Sequence, residues 1–422
     1  MSLHPLRRAL ELLHFLVGHT WKHALLRLGL ALLLFGGGAL LFTWFGLAPI
    51  AASRDHFRTT QWFLGFAMRN AVETRSMGTR EPPLDDPLLV RKGAGHYATG
   101  CAPCHGAPGQ ARSPTVLTLV PKPPLLPPLL AGWKAQELFW IVRHGLKYTA
   151  MPGWASEVRE DEVWAVVAFL RQLEGMDAQH YLDLAYGGRV QADPIAATAA
   201  SDLRVLWDAT GAALADCARC HGEDGNAQGQ GTIPRLAGQS REYLVASLTA
   251  YAEGARESGI MRPLAAALDA ATIEALATHY ARLPPSAPLP ARPGAVAATL
   301  RLLPDRKGAW LLAPLDAAGM AAAVDRGAAL AAAGSADGKV PACRQCHGPG
   351  AADRNPVFPR LDGQPPEYLA LQLALFRQGR RGGSAWQGLM QVAAERLDAR
   401  QIRDLALYYH SLQPTRADTV SP

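Results

Sequence analysis

Residues 217–226 read Cys-Ala-Arg-Cys-His-Gly-Glu-Asp-Gly-Asn, and the first five of them decide the reading of the whole chain. The pattern Cys-x-x-Cys-His returns as Cys101-Ala102-Pro103-Cys104-His105 and again as Cys343-Arg344-Gln345-Cys346-His347. Every cysteine in the chain, Cys101, Cys104, Cys217, Cys220, Cys343 and Cys346, lies in one of these motifs. Two thiols at i and i+3 sit on one side of a helical turn, placed to add to two vinyl groups along one edge of a porphyrin. The histidine that follows aims its imidazole at the iron. Other uses of paired cysteines fit less well. A disulfide framework scatters cysteines through a short chain. A structural zinc site needs a second pair close by, and these pairs are over a hundred residues apart. A thioredoxin-like pair expects a βαβ setting, which the sequence lacks. The expectation is three covalently bound haem c groups, with His105, His221 and His347 as iron ligands.

The second axial ligand sets the chemistry, because a histidine–methionine pair fills both positions, raises the potential and suits electron transfer. A methionine stands a few dozen residues past each histidine. Met151 lies in Thr-Ala-Met-Pro-Gly-Trp (149–154), Met261 in Gly-Ile-Met-Arg-Pro (259–263) and Met390 in Gly-Leu-Met-Gln (388–391). Met176 follows a closing helix and Met320 precedes its motif, so both are poorer ligands. His144 reads as a packed or surface histidine, and Trp140, Trp164 and Tyr243 as core residues. The expected role is an electron carrier and not an enzyme. The alternative is a haem enzyme of peroxidase or reductase type, which needs an open sixth position; the third site, whose Met390 has no proline after it, is the place for one.

Leu28–Ser53 carries no charged residue. An apolar run of about 20 residues crosses a bilayer as a helix, and Gly36, Gly37 and Gly38 are compatible with a membrane span. A cleaved signal peptide is the competing reading. Arginine and lysine flank both ends of the run, so charge says little about orientation. Residues 1–53 are expected to be a cytoplasmic stub with a transmembrane anchor. Residues 54–85 are expected to be a juxtamembrane helix and linker, with Trp62, Phe63, Phe66 and Met68 at the membrane surface or against the first domain.

The net charge of +6 comes without the basic clusters and interleaved aromatics that nucleic-acid binding requires. Abundant alanine, glycine and proline with little strand-type alternation favour small helical domains with irregular loops. The expected organisation is all-α: three small domains in tandem after the N-terminal helix, at 86–185, 200–285 and 298–415. The last two repeat each other. Pro234-Arg235-Leu236, Gly238-Gln239 and Glu242-Tyr243-Leu244 recur, at one constant offset, as Pro359-Arg360-Leu361, Gly363-Gln364 and Glu367-Tyr368-Leu369. Gly254 and Arg256 recur as Gly379 and Arg381. Leu283–Pro293 is a proline-rich linker between the two, and 186–200 a second boundary. Each domain is expected to run as an entry helix, a motif, a loop, an amphipathic helix, a methionine-bearing loop and a closing helix.

These motifs, with Ile-Pro-Arg-Leu-Ala-Gly-Gln (233–239), resemble class I cytochrome c domains. The last two domains together look like the two-domain dihaem cytochromes c of bacterial respiratory chains. The resemblance implies small helical folds in which a loop proline carbonyl orients the axial histidine. Pro234 and Pro359 match that position; in the first domain Pro121, Pro123 and Pro124 all stay open. It also implies haem attachment outside the bacterial inner membrane, with a single-pass anchor and the haem domains in the periplasm. The implied partners are the membrane and redox proteins: a dehydrogenase, a quinol-oxidising complex, an oxidase or a soluble cytochrome.

Overall fold

Short acidic and hydroxyl side chains start six of the described helices. In the computed structural model, which describes residues 21–47, 50–51, 54–187, 211–227, 231–303, 312–347 and 355–414, Asp86 accepts from Leu88 N–H at 3.0 Å. Asp177, Ser240, Asp269, Asp316 and Asp398 cap later helices in the same way, each satisfying a backbone donor that the first turn leaves orphaned. The described residues are helices and loops with no β-strand. The first stretch of the expected cytoplasmic stub, the boundary at 186–200, the start of the second expected domain and the end of the third at residue 415 lie outside the described residues.

The chain divides into two compact units, Met1–Gly65 and Phe66–Pro422. In the first, α1 (Trp21–Trp44, 24 residues) buries none of its residues. At 1.5 Å per residue it is about 36 Å long, against about 30 Å for a bilayer's hydrocarbon core. Among the described residues it is the one helix long and apolar enough to cross a membrane. It begins and ends earlier than the uncharged run. Gly46 takes a left-handed φ of 66°, and Leu47 N–H turns back to Phe42 O at 3.1 Å, which closes the helix. The next helix, α2 (Arg58–Ser76), runs across the division between the units. Its later part buries Val72 and Ser76, and Arg69 lies 4.6 Å over the Trp133 ring.

In the second unit, α3 (Pro87–His96), α4 (Ala102–His105), α5 (Ala135–His144), α6 (Glu160–Leu170) and α7 (Ala178–Tyr186) surround the first motif. The second motif ends α8 (Gly211–His221) and is followed by α9 (Arg241–Ala252), α10 (Met261–Ala266) and α11 (Ala270–Arg282). The third lies among α12 (Ala295–Arg301), α13 (Ala317–Ala333), α14 (Pro366–Arg377), α15 (Gln387–Glu395) and α16 (Ala399–Ser411). Three separate apolar clusters accompany the three motifs. The first includes Val90, Tyr97, Phe139, Trp164, Val167 and Phe169. The second is the smallest, built on Leu244, Ala277 and Tyr280. The third includes Leu300, Leu371, Ile402, Leu405 and Tyr409. Of the expected core aromatics, Trp164 is buried and stacks on Phe139 at 4.2 Å, while Trp140 and Tyr243 are half-buried.

Entry and closing helices cross at glycines. A Cβ on Gly93 of α3 would lie 2.0 Å from Ala165 O of α6, and one on Gly327 of α13 would lie 2.1 Å from Asp404 O of α16. Backbone meets backbone at both crossings, so any larger residue forces the helices apart. The entry helix of the third motif ends at Ala333, as the sequence predicts. Gly334 (φ 76°) ends α13 well before Cys343, and a loop knotted by Ser335, Asp337 and Val340 intervenes.

Candidate cofactor attachment sites

In all three motifs the cysteines and the histidine follow one another through a tight turn. The first leaves α3 by a π-type turn, Tyr97–Cys101, and enters α4. The second occupies the last turn of α8. The third is a single 3-10 turn, Cys343–Gln345, with His347 N–H bonded to Cys343 O at 2.8 Å. None of the six thiols is in a disulfide. Burial pushes Cys101 and Cys217 up to about 12, so neither is a poised thiolate. Among the described residues no three His, Cys, Asp or Glu side chains gather as a metal cluster, which leaves the zinc reading without a site.

The histidines share one geometry. Nδ1 of His105 lies 3.0 Å from Pro124 O, Nδ1 of His221 lies 2.9 Å from Pro234 O, and Nδ1 of His347 lies 3.1 Å from Pro359 O. The first distance picks Pro124 from the three prolines that the sequence left open. A carbonyl can only accept, so Nδ1 carries the proton and Nε2 presents its lone pair, as a metal-ligating imidazole requires. Burial lowers the pKa of His105 and His221, which keeps them neutral and able to ligate. Tyrosines pin the main chain beside two of the motifs: Tyr97 OH donates to Gly106 O at 2.6 Å, and Tyr409 OH to His347 O at 3.0 Å.

All three methionines are half-buried, but only Met151 sits in a loop. Gly145 (φ 62°) leaves no room for a Cβ against Met151 O and Pro152, so the segment lies tight on the end of α5. Met261 is the first residue of α10, its N–H bonded to Ser258 Oγ at 3.0 Å. Met390 lies inside α15. The expected methionine loop therefore gives way to a helix in the second and third segments.

Two buried features fit an anionic cofactor. Arg235, next to Pro234, has Nε and Nη1 buried without an acceptor. Arg256 is buried and bonds Ser247 Oγ, Tyr368 OH, Gln372 Oε1 and Tyr243, with no carboxylate among these partners. Burial and the neighbouring Arg256 charge lower the pKa of Arg381, its counterpart in the repeat. Unopposed buried cations are costly, and the carboxylates of a porphyrin would answer them.

The repeat signature also has a use that the sequence did not disclose. Gln239 Nε2 donates to Arg360 O at 2.7 Å and its Oε1 accepts from Arg360 N at 3.0 Å. Gln364 Nε2 donates to Arg235 O and its Oε1 accepts from Arg235 N, both at 2.9 Å. The two clasps are equivalent positions of the repeat, exchanged between the second and third segments. A buried carboxylate, Glu162, was missed altogether. Its only sequence signal is an acidic residue in the first turn of an otherwise apolar helix, which reads as a dipole partner.

Fold and motifs together define a protein that carries haem covalently on cysteine pairs. A sequence profile described as "Cytochrome C oxidase, cbb3-type, subunit III" matches residues 89–170, and one described as "Cytochrome c" matches residues 209–278. The chain is 34% identical over 214 residues to a thiosulfate dehydrogenase electron acceptor of Thiomonas intermedia, covering 50% of this chain and 86% of that protein. It is 31% identical to a cytochrome c4 of Thiocapsa roseopersicina, over 46% of this chain and 86% of that one. A solved cytochrome c4 from Acidithiobacillus ferrooxidans is 32% identical, with 47% of this chain and 99% of that chain covered at a TM-score of 0.35. The chain belongs to the class I c-type cytochromes. Its relatives are electron-transfer cytochromes that carry covalent haem c.

Proposed function

We propose that the chain is a membrane-anchored trihaem cytochrome c that relays electrons between redox proteins. The observation that carries this reading is the threefold recurrence of a Cys-x-x-Cys-His turn whose histidine Nδ1 is held by a proline carbonyl. The haem domains are residues 86–185, 200–285 and 298–415. Cys101 and Cys104, Cys217 and Cys220, and Cys343 and Cys346 hold the cofactor by thioethers. His105 and Met151, His221 and Met261, and His347 and Met390 are the axial pairs. When bound, such a group supplies a one-electron iron couple. The protein's contribution is to fix each imidazole in one tautomer, to keep those of His105 and His221 neutral and to oppose the cofactor's carboxylates with Arg235, Arg256 and Arg381.

The 24-residue helix α1 supports a single-pass anchor, with the haem domains in the periplasm. The donor we infer is a dehydrogenase, since two relatives are named as acceptors for thiosulfate dehydrogenase. The acceptor is an oxidase or a soluble cytochrome. Intact mass of protein made with haem-ligation machinery is expected to show three added porphyrins and a membrane-bound product. A colourless protein, or one gaining fewer than three, overturns the reading.

One observation favours a second reading. Met390 lies within the helix α15, whereas Met151 sits in a loop. An open third site would give an enzyme of peroxidase or reductase type. Rapid stoichiometric binding of carbon monoxide to one haem of the reduced protein would establish it; no binding leaves the relay.

A further inference from the structure

The first and second segments meet at their methionines, around a carboxylate that neither motif contains. Trp154, three residues past Met151, donates from its indole Nε1 to Glu162 Oε2 at 3.3 Å, and its ring lies 4.7 Å from that of His96. Glu162 is 2% exposed. Its Oε1 accepts from Ser258 Oγ at 2.6 Å and pairs with Arg159 Nη1 at 3.0 Å; its Oε2 also accepts from Gly259 N at 2.6 Å. Ser258 Oγ in turn accepts from Met261 N at 3.0 Å. A continuous hydrogen-bonded path thus runs from the residue after Met151-Pro-Gly to the backbone of Met261. The contact is close. A Cβ on Gly259 would lie 2.1 Å from Trp154 Nε1, so only glycine admits the indole there. On the motif side, a Cβ on Gly95 would lie 3.3 Å from Cys220 Sγ, and Arg219 stacks 5.4 Å over Tyr186.

The charges at this junction balance. Arg159 pairs with both Asp161 and Glu162, and Lys92 pairs with Asp161 at 3.2 Å. Two cations meet two carboxylates in a buried setting where an unpaired charge is costly. The arrangement is buried: Lys92, Arg159, Asp161 and Glu162 are each less than a tenth exposed.

We propose that this junction is the electron bridge between the first and second sites, with Trp154 as the conducting side chain and Glu162 as the positioning residue that holds the Met151 and Met261 segments together. The proposal rests on the three-haem reading. One electron leaves the first site as the second gains it; no bond forms or breaks and no proton moves. The reciprocal glutamine clasps join the second segment to the third, so a relay through this bridge runs first to second and on to the third, or the reverse.

The test uses the full-length, haem-loaded protein. Trp154→Leu removes the ring, and Trp154→Phe restores an aromatic one. After photoreduction, Trp154→Leu is expected to slow internal electron equilibration by an order of magnitude or more, with Trp154→Phe recovering most of the rate. Glu162→Gln is expected to move the upfield methionine methyl resonances of Met151 and Met261 in the reduced protein while that of Met390 stays in place. A Trp154→Leu rate equal to that of the unsubstituted protein overturns the bridge. So do three methionine resonances that all stay still, or all move alike, in Glu162→Gln. If Glu162→Gln does not fold, the tryptophan pair decides alone. Fewer than three porphyrins or three methionine resonances in the unsubstituted protein breaks the parent reading; three with an unaltered rate breaks only the bridge.

Discussion

Two junctions of the haem-bearing unit are built from different materials. Between the second and third segments the contact centres on reciprocal neutral clasps, Gln239 on the backbone of Arg360 and Gln364 on that of Arg235, beside the Arg256 guanidinium on Tyr368 and Gln372. Between the first and second segments it centres on an ionic cluster, one-sided because Arg159, Asp161, Glu162 and Lys92 all come from the first, with Glu162 accepting from Ser258 and Gly259 of the second. The reciprocal junction follows from duplication, because two copies of one surface can meet only by exchanging equivalent residues. The ionic junction joins unlike surfaces and had to be specified residue by residue. It is therefore the more fragile of the two to single changes.

The largest expected effect comes from Glu162→Ala. It strands three donors, Trp154 Nε1, Ser258 Oγ and Gly259 N, and takes from Arg159 one of its two carboxylates; losing one partner of a buried pair costs about 3–5 kcal/mol. Denaturant titration is expected to show the first segment unfolding ahead of the others. A single transition at the original midpoint would mean that the ionic junction holds nothing.

Acid is expected to separate the junctions next. Burial, then the charges of Lys92 and Arg219, lower His96 from 6.5 to about 4. His96 is thus neutral in the fold at pH values where the unfolded chain takes up a proton. Stability is full above about pH 6.5 and declines as the pH falls towards 4, by about 3 kcal/mol. Urea unfolding across this range, followed in the first segment, is expected to lose that amount, and His96→Gln to flatten the curve.

The glutamine clasps should respond less. Gln239→Ala or Gln364→Ala leaves one backbone donor and one acceptor unpaired, at about 1–3 kcal/mol for each substitution. Because the two clasps share one interface, the double variant is expected to cost less than the sum of the singles. Strict additivity in a double-mutant cycle would show that the two clasps are independent.

Much of this was legible in the chain itself. The three attachment turns, the histidines, the apolar span and the repeat of Pro-Arg-Leu and Gly-Gln are local patterns, and local chemistry fixes what they mean. The shift of α1 towards the N-terminus was not legible from hydropathy, because Gly46 and not the end of the apolar run closes the helix. The helical placement of Met390 was hidden too, since a ligand methionine can sit on a loop or a helix without changing its spacing from the histidine.

The sequence alone pointed to covalent haem at Cys-x-x-Cys-His turns, because thiol spacing and an adjacent imidazole act within a single turn of backbone. Only the tertiary structure decided that Pro124 holds His105, that Gln239 and Gln364 exchange partners, and that Glu162 lies between two methionine segments. Those contacts join residues far apart in the chain. Which distant polar groups meet is settled by the packing that excludes water around them, and no short pattern encodes it.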